Sequence, residues 1–372
     1  MVHYITTNGI GNAWVAAELK VMDELGVPHA LHSLRGPHQN FFGSRWADDL
    51  NRRTQVIYPI APLSFAASVL LAPLLFHARF FAVLLNALFA PRESLSARVK
   101  SIAHALVACH WARRLRHQDV HLIHAQWIHS SGTVGMYGAW LLGVPFSFTG
   151  HAVDLFRDRV ALVDKIRRAD FIVCISEFHR RFYLTHGARP EQLHLVHCGI
   201  DIEDFQPDWP CREARRRRRI VSVGRLVEKK GFGPLIEASR RLKEHGLDFE
   251  TEIVGDGPLE GELKALIARL GVGDRVILKG KAVLQEELPA LLRGADVYAQ
   301  PCVWSRDDDV DGTPRTLMEA MACGAPAVAT CIAGLPDIVE HDQSGLLVLP
   351  NDVEGLADAL QRVLTDDALA RR

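Results

Sequence analysis

Two short stretches in the second half of the chain carry residues whose types and spacing suit a charged, hydroxyl-rich ligand. The first, IVSVGRLVEKKGFGPLIEA from Ile220, reads as a buried strand, a turn bearing Gly224 and Arg225, then Lys230 and Gly231 ahead of a helix. Where a parallel strand turns into a helix, backbone N–H groups and the helix dipole favour an anion. Arg225 and Lys230 add full positive charges, as a diphosphate would require. The second stretch, DGTPRTLMEAMACGAPAVAT, begins at Asp311. Gly312 allows close backbone approach, Pro314 suits the start of a helix, and Cys323-Gly324 end that helix before another buried strand. Asp311 and Glu319 put one carboxylate in the loop and another more than a turn inside the helix, so they can hold hydroxyls on two groups of one ligand. Leu317, Met318 and Met321 are ordinary core positions.

The elements around these residues alternate between short β-branched runs and amphipathic helices, the pattern of parallel sheets with crossover helices. In the first half the strands are VHYIT, HALHSL, QVIYPI, HLIHA, PFSFT, FIVCIS and LHLVH; in the second they are RIVSVG, FETEIV, RVILKG, DVYAQP, PAVAT and GLLVL. A chain of 372 residues exceeds one ordinary α/β core, so the fold class is α/β with two Rossmann-like, doubly wound parallel-sheet domains facing a central cleft. Domain boundaries at 1–205 and 220–372 follow, joined by a basic linker over 206–219. Its arginine run, Arg215 to Arg219, reads as a solvated face.

With 48% hydrophobic and 23% charged residues and a formal net charge of -1, the chain gives no sign of a nucleic-acid partner. Its seven cysteines include no CxxC pair, which argues against a zinc or thioredoxin-like site and fits a reducing cytoplasm. MVHYITTNGIGN reads as a strand entering a turn rather than as a secretion signal. Gly9 and Gly11 in that turn could let the backbone approach an acceptor or a phosphate, but without a third glycine they make no NAD site. The run Asp307, Asp308, Asp309 invites a metal; a solvated loop is the plainer reading, and no metal or cofactor is expected.

From Ala61 to Phe76 there is no charged residue, and after His77 and Arg79 the apolar run resumes to Ala90. Each block falls short of the roughly 20 residues of a spanning helix. Two readings remain: a helical hairpin over 61–90 lying against a membrane, or a buried helical pair covering the first sheet.

SVGRLVEKKGF, IVGDGPL, DGTPRTLMEAMACGAPAVAT and GLPDIVEHDQSGLLV resemble, in order and spacing, the donor domain of the retaining family 4 glycosyltransferases, which share the GT-B fold. HLIHAQW, GVPFSFTGHAVDLF, ADFIVCISEFHRRF and HLVHCGIDIEDFQP resemble its acceptor domain, nearest the exopolysaccharide and colanic-acid branch. The resemblance implies that Arg225 and Lys230, beside Gly224, clamp the donor diphosphate and that Glu319 holds the ribose. Asp311, with Gly312, Thr313 and Pro314, would meet the sugar. The family usually has glutamate at Asp311; aspartate keeps the charge but is one methylene shorter. Gly280 and Lys281 fall where the family meets the nucleobase, and His151 in TGHAVD matches a histidine near the reacting carbon. For His124, at a similar strand end, a structural role is the better reading.

The implied reaction is retaining, metal-independent transfer of a hexose from a UDP- or GDP-sugar to a hydroxyl of a lipid-linked or oligosaccharide acceptor. It would serve exopolysaccharide, lipopolysaccharide or glycolipid synthesis, in the cytoplasm or at the inner face of the plasma membrane. A sugar-nucleotide epimerase and a non-catalytic nucleotide-sugar binding subunit are the rival readings. Relatives usually continue beyond the position of Arg372, so the chain is expected to be short or truncated.

Overall fold

β-branched and aromatic runs form strands here because the intervening helices are long enough to cover both faces of a parallel sheet. The structure is a computed structural model describing residues 1–10, 13–36, 48–207 and 217–372, with only the backbone of Ala13 and Trp14. Gly11 and residues 208–216, including Arg215 and Arg216 of the arginine run, lie outside the described residues. The chain divides into two compact units, Met1–His197 and Cys198–Arg372.

The first unit contains β1 (Val2–Asn8), β2 (His29–Arg35), β3 (Gln55–Val56), β4 (Leu122–Gln126), β5 (Phe146–Thr149), β6 (Phe171–Cys174) and β7 (Leu193–Leu195). They form one parallel sheet in the order β3-β2-β1-β4-β5-β6-β7. The second contains β8 (Arg218–Val223), β9 (Phe249–Val254), β10 (Val276–Leu278), β11 (Val297–Gln300), β12 (Ala327–Thr330) and β13 (Leu346–Val348). Its order is β10-β9-β8-β11-β12-β13, again all parallel. Each sheet therefore reverses its winding beside its first strand, at β1/β4 and at β8/β11. In open α/β sheets, ligands bind beyond the carboxyl ends of the strands at such switch points.

QVIYPI yields only the short β3, since Pro59 has no N–H with which to continue the ladder. Ile57 and Tyr58 still donate to Ser33 and Leu34 carbonyls at 2.8 and 2.9 Å. Arg218 and Arg219 form part of β8 and are paired: Arg219 with the buried Glu252, Arg218 with Asp296 and Asp367. In the second unit Ile220, Leu226, Leu235, Ile236, Phe249 and Val297 pack into one core with the helix Val353–Thr365.

The apolar stretch forms two helices, Pro62–Phe76 and Ala78–Phe89, bent by 120° at His77. Each helix is apolar on two faces, of which one is buried and one exposed. Ser68, Ala72, Phe76, Phe80, Val83 and Ala87 are buried, and Ser68 Oγ lies 3.0 Å from His110 on the helix Leu95–Leu115. Leu63, Leu70, Leu74, Phe81, Leu85 and Phe89 are all more than half exposed. Among the described residues no single helix is long and apolar enough to cross a membrane.

Gly231 is the residue on which the loop after β8 turns. Its φ is +69°, and a Cβ would fall 1.7 Å from the Pro301 carbonyl oxygen. Gly26 has a similar φ of +65° but open space around it. Gly231→Ala should therefore lower stability by roughly 2 to 4 kcal/mol, against about 1 for Gly26→Ala. Calorimetric melting of the two variants checks this; equal shifts would deny the close approach.

Candidate functional site

The switch point of the second unit gathers most of the chemistry expected of it. β8 ends at Val223, and Gly224 N–H donates to the Val254 carbonyl at 3.0 Å. A Cβ on Gly224 would meet Lys230 Cε at 2.9 Å, so this glycine leaves the path along which the lysine stem runs. Lys230 closes a 3-10 turn, Glu228–Lys230, immediately before Gly231 and the helix Phe232–Glu244. Its ammonium meets Asp311 Oδ2 at 2.5 Å, with the two side chains 14% and 17% exposed. Burial works against the Lys230 charge, but the Asp311 carboxylate outweighs it and raises the lysine above its ordinary range. Burial likewise opposes the Asp311 charge, and Lys230 and then Lys229 hold its carboxyl below the ordinary value.

Lys229, not singled out from the sequence, completes the group. Its Nζ lies 2.9 Å from Asp309 Oδ2 and 3.8 Å from Asp311 Oδ1, and its carbonyl accepts from Val303 N–H at 3.0 Å, just past β11. The reading of Asp307 to Asp309 as a solvated loop is corrected here: Asp307 and Asp308 are exposed, but Asp309 is buried against Lys229. A carboxylate can leave water at that point because the neighbouring ammonium compensates it. Among the described residues no group of three or more His, Cys, Asp or Glu side chains is arranged to hold a metal.

Asp311, Gly312, Thr313 and Pro314 lead into the helix Arg315–Ala322, and Gly312 C=O accepts from Gly334 N–H at 2.9 Å. Glu319 is buried one turn inside that helix; Gln285 Nε2 donates to its Oε1 at 3.0 Å and Arg315 Nε lies 2.9 Å from the same oxygen. Burial raises the Glu319 carboxyl, with Arg315 and Gln285 working against it. Thr313 Oγ1 and Arg315 Nη1 are buried without a hydrogen-bond partner in the protein. Polar atoms so placed are costly unless something else satisfies them. Arg225 is exposed on the loop after β8. Gly280 (φ +59°) and Lys281 lie beyond β10, two strands from β8 at the sheet edge.

The first unit holds His151 at its own switch region, in the loop after β5. His151 N–H and Ala152 N–H donate to Asp154 Oδ1 at 3.1 and 2.9 Å, while Asp154 Oδ2 accepts from Ile128 N–H at 2.8 Å and so ties this loop to the one after β4. His179 Nε2 donates to the His151 carbonyl at 2.8 Å. Burial lowers the His151 ring to about 4, with Asp154 opposing it. His124 has both ring nitrogens engaged, by Ser147 Oγ at 2.8 Å and Thr149 Oγ1 at 3.1 Å, which supports its structural role. Gly9, at the end of β1 with φ +52°, donates its N–H to Ser33 Oγ at 2.6 Å and to the Arg35 carbonyl at 3.1 Å.

Two all-parallel sheets wound in one order, with paired charges beyond β8, define the GT-B fold class. HepE of Anabaena, solved in complex with UDP, superposes with a TM-score of 0.71 at 18% identity, covering 100% of this chain and 92% of HepE. Residues 209–372 match the family described as glycosyl transferases group 1, and residues 90–204 match glycosyltransferase family 4. The 2-deoxystreptamine glucosyltransferase of Streptomyces kanamyceticus is 30% identical over 295 residues, covering 72% of this chain and 73% of the relative. The chain is thus a member of the family 4, group 1 glycosyltransferases. WcaL of Escherichia coli K12, named for colanic acid biosynthesis, is 40% identical over 194 residues, 52% of this chain and 47% of WcaL. The chain spans about half the length of WcaL and of curated relatives like it.

The paired charges make acid stability a test of the site. Asp311's folded value is depressed, so its contribution is complete above the ordinary aspartate value near 3.8 and is lost as pH falls through the lower folded value. Asp311→Asn should be less stable than wild type at neutral pH, and should lose less on acidification below about pH 4. Urea titrations across pH measure both slopes; parallel acid limbs would remove the buried pair.

Proposed function

We propose that the chain transfers a hexose from a UDP- or GDP-sugar to an acceptor hydroxyl, with retention at the anomeric carbon and without a metal. The observation that carries this reading is the lysine pair beyond β8, two largely buried ammonium groups held only by Asp309 and Asp311 among the contacts described. A diphosphate arriving there competes with Asp311 for Lys230. The displaced carboxylate is then a natural acceptor for hydroxyls of the sugar. Arg225 adds charge at the turn, and Thr313 Oγ1 and Arg315 Nη1 offer unspent donors at the start of the Arg315–Ala322 helix. Glu319 would accept from the ribose hydroxyls, with Gly280 and Lys281 toward the base, and His151 would meet the sugar near the bond that breaks.

Charge accumulates on the departing diphosphate, so preorganised cations aimed at it supply the largest catalytic term. Retention is consistent with same-face attack assisted by the leaving phosphate, and no covalent nucleophile is assigned. The names of the relatives, with a colanic-acid glycosyltransferase among them, support an acceptor in exopolysaccharide, lipopolysaccharide or glycolipid synthesis. UDP in HepE supports a nucleotide-diphosphate donor.

We further propose that the hairpin meets the surface of an anionic membrane, where a lipid-linked acceptor would lie. Its outer face presents Leu63, Leu70, Leu74, Phe81, Leu85 and Phe89, continued by Leu95 and Val99. Between Ile57 and Gln118 there are seven lysines and arginines and one acid, Glu93, whose carboxylate is occupied by the Ala161 and Leu162 N–H groups. Arg92 is paired with Asp164 at 2.8 Å, and the other six basic residues leave the stretch with an excess of positive charge. Apolar burial combined with excess basic charge favours interfacial attachment to acidic lipid.

A thermal-shift panel of nucleotide sugars should pick out the donor, because a ligand of the folded state raises its melting temperature. Lys230→Ala should abolish that shift and lower kcat about 100- to 1000-fold, with the folded fraction measured alongside since Asp311 loses its partner. Near-normal turnover would refute the phosphate assignment. Co-sedimentation with phosphatidylglycerol vesicles should fall sharply in a Leu70→Ser, Phe81→Ser, Leu85→Ser variant; unchanged binding would count against the hairpin.

A further inference from the structure

A chain of buried and half-buried polar groups runs from β1 to His151; the motifs contain His151 and Gln126 but nothing in them points to Glu18. Glu18, on the helix Ala13–Glu24, accepts at both carboxylate oxygens: from Tyr4 OH at 2.8 Å and from Gln126 Nε2 at 2.7 Å. Gln126, the last residue of β4, places its other amide atom, Oε1, 3.0 Å from His151 Nε2. Tyr4, Gln126 and His151 are each at least nine-tenths buried. An amide oxygen can only accept, so with this orientation the His151 proton sits on Nε2. Turning the amide over would set its oxygen against the Glu18 carboxylate, two acceptors face to face.

We propose that Gln126, held by Glu18 and Tyr4, is the positioning residue that fixes His151 in one ring orientation and in the Nε2–H tautomer. The backbone of His151 is held on both sides, its N–H by Asp154 and its carbonyl by His179, and the Trp127 ring lies 5.3 Å from its own; the Gln126 contact acts on the ring nitrogen itself. A neutral imidazole protonated at Nε2 is an acceptor at Nδ1, so the relay decides the polarity of the ring as well as its direction. The lowered His151 value, produced first by burial, agrees with a ring that is neutral around pH 7. Burial also raises the Glu18 carboxyl, with the Tyr4 hydroxyl opposing it. The significance for catalysis rests on the proposed contact of His151 with the donor sugar; the tautomer itself does not.

The test begins with long-range 1H–15N correlation of the histidine rings in the full chain above neutrality, His151 being identified by the signals missing from His151→Asn. Wild type should show the Nε2–H pattern. Gln126→Leu should give a mixture of tautomers and lower kcat on the order of 10- to 100-fold, as when an outer partner orienting a metal-bound histidine is removed, with the donor KM little changed. Gln126→Glu alone sets two carboxylates together and should be worse than wild type. Adding Glu18→Gln restores every donor and acceptor in the chain: the Tyr4 hydroxyl donates to the introduced amide, that amide donates to the introduced carboxylate, and His151 Nε2–H donates to the same carboxylate. This double variant should recover the Nε2–H pattern and most of the activity, even where Gln126→Leu folds poorly. An Nδ1–H pattern in wild type, or failure of the double variant to recover the pattern lost in Gln126→Glu, overturns the relay. Absence of transfer with every donor, alongside the expected ring patterns, would instead count against the proposed function alone.

Discussion

The second unit is organised around one constraint: a carboxylate and an ammonium removed from water must be kept together. Lys230 and Asp311 belong to loops after different strands, β8 and β11, and their 2.5 Å contact spans the point where the sheet reverses its winding. Gly224 yields the volume for the lysine stem, and Gly231 turns the chain so tightly that it grazes the Pro301 carbonyl. Lys229 and Asp309 repeat the arrangement one residue and two residues away. Each charge of the pair offsets the cost of removing the other from water, so loss of either partner leaves an uncompensated ion.

The first unit uses the same strand order with different chemistry at its switch region. The groups that fix His151 are a glutamine, a histidine and an aspartate that accepts three backbone N–H groups. Burial would raise the Asp154 carboxyl, but His151, His129 and the N–H donors together hold it below its ordinary value. The paired cations described beyond β8 have no counterpart in that cluster. A pair of largely buried cations and a hydrogen-bonded histidine thus lie in different units through local composition, not through fold.

The architecture was legible because its signals are periodic: a strand such as RIVSVG or PFSFT cannot avoid being read when helices flank it. The strand that came out short, β3, failed on Pro59, whose missing N–H is a local fact that a hydrophobic pattern does not weigh. The site was legible where a motif joins several residues at fixed spacing, as from Asp311 to Glu319. It was not where partners meet only in space. Lys229 was not singled out, and Asp309 read as one of three solvated acids; the loops after β8 and β11 bring them together. Gln126 and Glu18 are 108 residues apart; HLIHAQW contains the glutamine, but nothing in it points to Glu18. A carboxylate on the helix face that also carries Val15, Ala16 and Leu19, with a glutamine at a strand end, was the signal that could have joined them.

The hairpin shows why composition alone left two alternatives open. An uncharged helix normally buries all of its surface, and these two bury only one side: Phe76, Phe80 and Val83 go inward while Leu74, Phe81 and Leu85 stay out. Sequence periodicity could not distinguish the faces, because both are apolar and the usual polar stripe that marks the solvent side is missing. The inner face explains why the helices fold where they do, against the helix Leu95–Leu115. The outer face has no such account among the described residues. Exposing that many leucines and phenylalanines costs about 25 cal/mol for each Å² of apolar surface left in water. That exposed apolar face, in a stretch that excludes nearly all acids, is the observation on which the proposed contact with an anionic membrane rests.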